Sequence, residues 1–323
     1  MEKKNHYDLL IVGSGAAGLS AAIYAGRYNM RTLVVGAEFG GETATAGLIE
    51  NYPGFKEIDG YELMKKMKEQ AEATGAEVRE GKIVEITKEK ECFELKGEKG
   101  EEFEAQAVIL ALGTNRRHLN LPNEKELTGK GVHYCVTCDG PVYNGKTVAM
   151  VGGGDSSVKG VNFLGEYASK IYFIVMEKEL SAEPTNLERM KKIGDKVEVL
   201  YETQIKEIKG SKMLEGLVLS KEVNGSKDLK VDGLFVEIGF DPDVKFATAL
   251  GVELDEKGYM KADSMMRSSV PGLFGAGDAV NLFGTFKQDI TAAAMGSVAA
   301  TSAYEYVRTN EGACEFHQKP AEK

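Results

Sequence analysis

Residues 7–18 read YDLLIVGSGAAG. Tyr7 to Val12 is apolar and β-prone, Leu19 to Tyr28 follows a helical pattern, and Gly13-Ser14-Gly15-Ala16-Ala17-Gly18 stands between them. A G-x-G-x-x-G turn between strand and helix lets bare backbone approach a pyrophosphate, and the helix N-terminus favours that group's negative charge. Arg31 to Val35 resumes as a strand and completes a βαβ unit. The pattern returns further on, where Lys146 to Val151 runs into Gly152-Gly153-Gly154-Asp155-Ser156-Ser157, with Ser157 in place of the last glycine. A second helix to about Tyr167 and a second strand, Ile171 to Val175, complete another unit. One such turn alone is a weak signal. Two of them, each between strand and helix, predict an α/β protein built on two Rossmann-like dinucleotide-binding domains.

The 323 residues are enough for about two domains at roughly 150 residues each, with no need of disulfide staples. Fifty acidic residues against 40 basic ones leave a net charge of −10, which repels phosphate backbones and anionic lipid and excludes nucleic acid as an expected partner. The longest apolar stretches, such as Ala107 to Leu112 and Ile171 to Met176, fall far short of the roughly 20 residues that cross a bilayer. Met1 to Asp8 is polar and runs straight into the first strand, so no signal or transit peptide is expected and the cytoplasm is the expected compartment. Thirty-eight glycines against 7 prolines point to tight turns rather than a disordered tract. Lys56 to Glu104 is charged with both signs and reads as helix and strand surface. Near the end, Gly272 to Asp278 (GLFGAGD) and the small-residue run Thr291 to Ala303 predict a strand, a turn carrying an acid, and a close-packed helix.

Of the four cysteines, Cys92 and Cys314 are expected to be inert, and only Cys135-Val136-Thr137-Cys138 has a spacing with chemical meaning. A zinc site wants four ligands, and beyond His133 no second C-x-x-C or H-x-x-x-H supplies them, so no metal is expected. A dithiol/disulfide couple needs only the two sulfurs. Asp139 follows at once, placed either to exchange protons with the thiols or to cap a turn ahead of Gly140.

These landmarks in their order resemble the low-molecular-weight thioredoxin reductases over essentially the whole chain. The matching stretches are Gly13 to Gly18, Gly40-Gly41, Glu50-Asn51-Tyr52-Pro53-Gly54, Ala111-Leu112-Gly113-Thr114, Cys135 to Asp139, Gly275-Ala276-Gly277-Asp278 and Lys287-Gln288. The resemblance implies a discontinuous FAD domain, residues 1–115 and 245–323, with a pyridine-nucleotide-like domain inserted at 116–244 that carries the redox disulfide. It implies that reduced flavin passes two electrons to Cys135–Cys138 and that the dithiol reduces thioredoxin or a similar protein. Cys138 would face the flavin, Cys135 would attack the partner, and Asp139 would be the general acid/base. Gly13, Ser14, Gly15, Ala16, Ala17, Gly18, Gly40, Gly41, Asn51, Gly113, Gly277, Asp278, Lys287 and Gln288 would line the flavin. A homodimer is implied as well. Glu38, about 20 residues after Gly18, suits a ribose 2′-OH by spacing, although the strand end itself, Val35-Gly36, carries no acid.

The second unit departs from the NADPH-using members. Their paired acids fall here on Lys159 and Gly160, their basic cluster on Val175, Met176 and Glu177, and a later arginine on Ser181. Glu177 would repel a 2′-phosphate, so NADPH is not expected. NADH stays open, with Gly152, Gly154, Asp155, Ser156 and Glu177 as the nucleotide residues, although Gly160 and Gly165 weaken the helix. Reduced ferredoxin and a reduced deazaflavin are the other donors. The net charge counts against an acidic ferredoxin unless Arg116-Arg117-His118 or Lys191-Lys192 makes a local basic patch. A flavin-dependent dithiol oxidase and a redox-sensing flavin-binding protein are the competing functions.

Overall fold

The computed structural model describes residues 5–284, 286–310 and 314. Residues 1–4 of the polar leader and the last residues of the expected flavin domain, 315–323, lie outside them. The chain divides into two compact units, one formed by Met1–Thr114 with Pro242–Lys323 and the other by Asn115–Asp241. The second crossing falls just ahead of Lys245, which opens a short helix of the first unit, Lys245–Ala249.

The first unit is built on strand Asn5–Val12, whose Leu9, Leu10 and Ile11 are fully buried. A strand apolar on both faces must be covered on both, and this one is flanked in parallel by Thr32–Gly36 and Glu102–Leu110. The sheet runs Glu77–Glu80, Thr32–Gly36, Asn5–Val12, Glu102–Leu110, Cys92–Gly97, Ile83–Glu89, with Leu273–Gly275 also on Glu102–Leu110. That strand changes neighbours along its length: Glu102 to Ala105 pair antiparallel with Cys92–Gly97, and Val108 to Leu110 pair parallel with Leu273–Gly275. The sheet forks there, and the charged stretch 83–97 becomes a hairpin. Helix Ala16–Arg27 packs against the C-terminal helix Asp289–Thr309, where a side chain at Gly296 would overlap the Ala17 carbonyl. The small-residue run exists for that approach.

The second unit carries a five-stranded parallel sheet in the order Val132–His133, Gly233–Val236, Thr147–Val151, Lys170–Ile174, Val197–Leu200, and a separate antiparallel sheet of Ile205–Gly210, Leu214–Val223 and Ser226–Leu229. Helices Asp155–Leu164 and Pro184–Ile193 pack beside it. Each unit has its own apolar core.

The cysteines outside the C-x-x-C motif correct an expectation. Cys92 and Cys314 form a buried disulfide between positions 222 apart in sequence. Long-range hydrogen bonds bring them together: Gln106 Nε2 donates to the carbonyls of Val307 and Asn310 at 3.3 and 2.7 Å, and the Tyr306 hydroxyl donates to Glu91 at 2.8 Å. Spacing alone cannot show such a pair.

Candidate active site

In the first unit the glycine turn closes tightly. Gly13 has φ of 115°, and a side chain there would overlap the Ala111 carbonyl; one at Gly18 would overlap the Gly13 carbonyl. The third position therefore lets helix Ala16–Arg27 sit directly on the strand end. Above Gly15 the space is open, with the Gly40 carbonyl 3.7 Å from where a Cβ would stand, so Gly40-Gly41 approaches the turn as bare backbone. Gly277 comes to the same turn, its Cβ position 3.1 Å from the Ala17 methyl. Gly113 follows the fork of the sheet with φ of 65° and nothing within 4 Å of its Cβ position.

Asn51 Nδ2 donates to Gln288 Oε1 at 3.0 Å, and Gln288 caps the C-terminal helix reciprocally with Thr291. Lys287 Nζ donates to the Val280 carbonyl at 2.7 Å and lies 4.4 Å over the Tyr259 ring. Burial pushes the Asp278 carboxyl up to about 6, opposed by the Lys287 charge and helped by Asp289 and Glu42. Lys287 is pushed down by the same burial, opposed by Asp278. Among the described residues no hydrogen bond reaches the Asp278 carboxylate, a half-buried acceptor beside an open glycine turn. Bare backbone, a helix N-terminus and an acceptor for a hydroxyl fit a flavin dinucleotide.

Glu38 lies on the loop that meets the glycine turn. Its backbone carbonyl takes the Ser14 hydroxyl at 3.1 Å while its side chain is exposed on the loop after Thr32–Gly36. The strand end has no acid because a side chain at Gly36 would run into Ser14.

In the second unit, Gly152 has φ of 148°, with the Glu237 carbonyl against it. Helix Asp155–Leu164 follows with Gly154 as its N-cap, and Ser157, buried, closes back on the Gly154 carbonyl at 2.7 Å. Asp155 faces the next helix, accepting from the Glu183 amide and from Asn186, both at 2.9 Å. Burial pushes its carboxyl up, but these hydrogen bonds and the Lys159 charge outweigh that and hold it below its ordinary value. Ser156 is exposed. The Glu177 carboxylate leans over the turn, 2.9 Å from the Cβ position of Gly153, and the Ser181 amide donates to the Gly153 carbonyl at 2.8 Å.

The dithiol motif leaves the carboxyl end of edge strand Val132–His133, the same end of the parallel sheet from which the glycine turn leaves Thr147–Val151. Cys135 and Cys138 form a disulfide with Cα atoms 5.3 Å apart. Cys135 is the N-cap of a single helical turn, Val136–Asp139, and the Cys138 amide donates to its sulfur at 3.3 Å. On reduction that amide meets a thiolate and favours it. Cys138 is exposed and Cys135 half-buried. Gly160 explains itself here: a side chain would meet Met150 at 2.5 Å and Val136 at 3.1 Å, so its bareness lets the disulfide turn seat on helix Asp155–Leu164. Asp139 makes no cap for the turn that follows; its carboxylate pairs with His133 Nδ1 at 3.0 Å.

The pyridine nucleotide-disulphide oxidoreductase family model matches residues 7–298. A thioredoxin reductase from Peptoclostridium litorale is 38% identical over 94% of this chain and 98% of its own. The chain belongs to the thioredoxin reductase family. Among solved structures, the thioredoxin reductase of Lactococcus lactis in its FR conformation is matched with a TM-score of 0.87 at 33% identity, over 94% of this chain and 99% of that one. A ferredoxin-flavin thioredoxin reductase from Clostridium acetobutylicum is matched with a TM-score of 0.51 at 32% identity, over 95% and 99%. This family member is a flavin-dependent disulfide reductase with two dinucleotide-binding domains. No helix among the described residues is long and apolar enough to cross a membrane. His133 and Cys92–Cys314 escaped the sequence reading, which weighed His133 only as a metal ligand; its place between two polar partners is set by the fold.

Proposed function

We propose that this chain reduces the disulfide of thioredoxin or a thioredoxin-like protein through Cys135 and Cys138, with FAD held by the first unit and a donor other than NADPH. The observation that carries the reading is the Cys135–Cys138 disulfide, with Cys138 an exposed residue, standing at the carboxyl end of the inserted parallel sheet. Bound FAD supplies a two-electron carrier for that disulfide. The Gly13–Gly18 backbone would hold its pyrophosphate, Asp278 would accept from its ribityl chain, and Lys287 and Gln288 would hold the ring side. Cys138 receives the electrons, the Cys138 amide steadies the Cys135 thiolate, and Cys135 attacks the partner disulfide. Asp139 gives and takes the proton that accompanies each sulfur's change of state. The relatives' names support the partner. A homodimer, read by light scattering, accompanies this proposal.

For the donor, the geometry favours NADH. Glu177 lies beyond the end of strand Lys170–Ile174 with its carboxylate over the glycine turn, where an acid accepts from a ribose 2′-OH and repels a 2′-phosphate. Ferredoxin is a second reading, favoured by the name of the Clostridium relative. The basic patch it needs is not at 116–118: Arg116 pairs with Glu237 at 3.0 Å, Arg117 with Asp241 at 2.8 Å, and His118 lies 3.8 Å from Glu124. Lys191 and Lys192 are exposed and remain as its docking cations.

Anaerobic titration of the yellow protein decides among NADH, NADPH, reduced ferredoxin and a reduced deazaflavin by flavin bleaching. NADH bleaching at micromolar concentration with none by NADPH supports the reading. Rapid bleaching by micromolar NADPH overturns it. Stoichiometric peroxide from a dithiol with no thioredoxin reduction would show a dithiol oxidase instead.

A further inference from the structure

His133 is the one histidine of the dithiol segment, and both of its ring nitrogens are engaged. It ends edge strand Val132–His133, is 7% exposed, and stacks on Phe235 of the neighbouring strand at 5.3 Å between ring centroids. Nδ1 lies 3.0 Å from Asp139 Oδ2, and Nε2 lies 2.6 Å from the Tyr143 hydroxyl. An ionised carboxylate only accepts, so Nδ1 carries the proton and Nε2 of the neutral ring accepts from the phenol. Burial, with Asp139 and Asp232 nearby, pushes Tyr143 up to about 12, so it stays a phenol at neutral pH, donating to the neutral ring and accepting from a protonated one. The charged groups around this chain are Asp139 on the disulfide turn, Asp232 before the neighbouring strand, and Lys146 over the Tyr143 ring at 5.5 Å.

We propose that His133, clamped by Tyr143, is a positioning residue that orients the Asp139 carboxylate and shares its proton, so that the working acid/base is the Asp139–His133 pair. This rests on the reading of Cys135 and Cys138 as the site of exchange. In that exchange the Cys135 thiolate forms a bond to one partner sulfur and breaks the partner disulfide. The pair, holding one proton more than the carboxylate and neutral imidazole described above, with Nε2–H then donating to the Tyr143 oxygen, gives that proton to the sulfur that leaves. The pair then recovers a proton from the Cys138 thiol, whose thiolate attacks the Cys135 sulfur, closes the Cys135–Cys138 bond and releases the second partner sulfur as thiolate. Two electrons pass to the partner, and the pair ends as it began. In water an imidazole is the stronger base by about 2.6 pH units, so a variant without the ring leaves the weaker base to act alone.

The test uses the flavin-loaded enzyme, reduced anaerobically and mixed with oxidised thioredoxin or a small aromatic disulfide, across pH 5 to 9 (roughly the span over which imidazole charge changes). His133→Asn keeps a donor toward Asp139 but cannot hold a proton. Its exchange rate is expected to fall ~10-fold or more, with the pH limb moving down by about one unit or more. Asp139→Asn is expected to be slow in either background, so the two losses do not add. A limb at the parental pH in His133→Asn, with only the amplitude reduced, overturns the proposal and leaves His133 a structural residue. Should that variant lose its flavin, Tyr143→Phe reads the same limb, and an unmoved limb there overturns the proposal. Cys135→Ser separates the two ideas: if it still reduces the disulfide, the site reading itself fails, whatever His133 does.

Discussion

Replacing Asp278 by asparagine should stabilise the flavin-free protein, and only above a defined pH. Burial raises the Asp278 carboxyl from 3.8 to about 6. A group whose folded value lies above its unfolded one favours the fold in its protonated form. Its contribution is therefore full below about pH 4 and is lost as pH rises through 6. Roughly two units at 1.36 kcal/mol each make about 3 kcal/mol, and this is an upper figure because asparagine also leaves the Lys287 ammonium without its counter-charge. Urea unfolding of the flavin-depleted parent and of Asp278→Asn at several pH values gives the difference directly, since groups common to both cancel. The variant is expected to match the parent near pH 4 and to gain up to about 3 kcal/mol by pH 7. A difference that stays flat across that range refutes the reasoning, because an Asp278 that pays no burial cost has no unmet acceptor to offer a flavin hydroxyl.

Cys92→Ser should destabilise the protein by up to about 5 kcal/mol in the chain-entropy limit for 222 residues, and Cys314→Ser equally, with flavin reduction unchanged; urea midpoints of the two variants check it. Gly160→Val should cost about 1–3 kcal/mol by overpacking against Met150 and Val136. It should also slow exchange at Cys135–Cys138 while leaving flavin content intact, as stopped-flow and absorbance show together. Glu177→Arg should fail to give bleaching by micromolar NADPH, because Met176 and Ser181 still supply no cation; bleaching in that variant alone would show that one charge suffices.

The strand Asn5–Val12 and the turn after it were readable because an apolar run on both faces and three bare backbone positions have few other uses. The second turn was readable for the same reason, even with Ser157 in place of glycine, since its hydroxyl closes on the Gly154 carbonyl. The C-x-x-C couple was readable because two sulfurs at that spacing need no distant partner. Other features depend on contacts far apart in sequence. Gly160 looked like a weakened helix until Val136 was seen against it, and Gly36 looked like a missing acid until Ser14 filled its space. Asp139 had two local readings, and its carboxylate pairs with His133 across a turn instead of capping the one ahead of Gly140. The fork at Glu102–Leu110 had no sequence signal, because both of its partners pair through backbone.

The central claim is that electrons leave the flavin through Cys138 and reach a protein disulfide through Cys135. It is tested most directly by bleaching the flavin anaerobically, adding oxidised thioredoxin, and following the return of the yellow colour in the parent and in Cys135→Ser and Cys138→Ser. The account predicts rapid reoxidation of the parent and none through either variant, both of which keep their flavin. Reoxidation by thioredoxin at parental rate in either variant would contradict it.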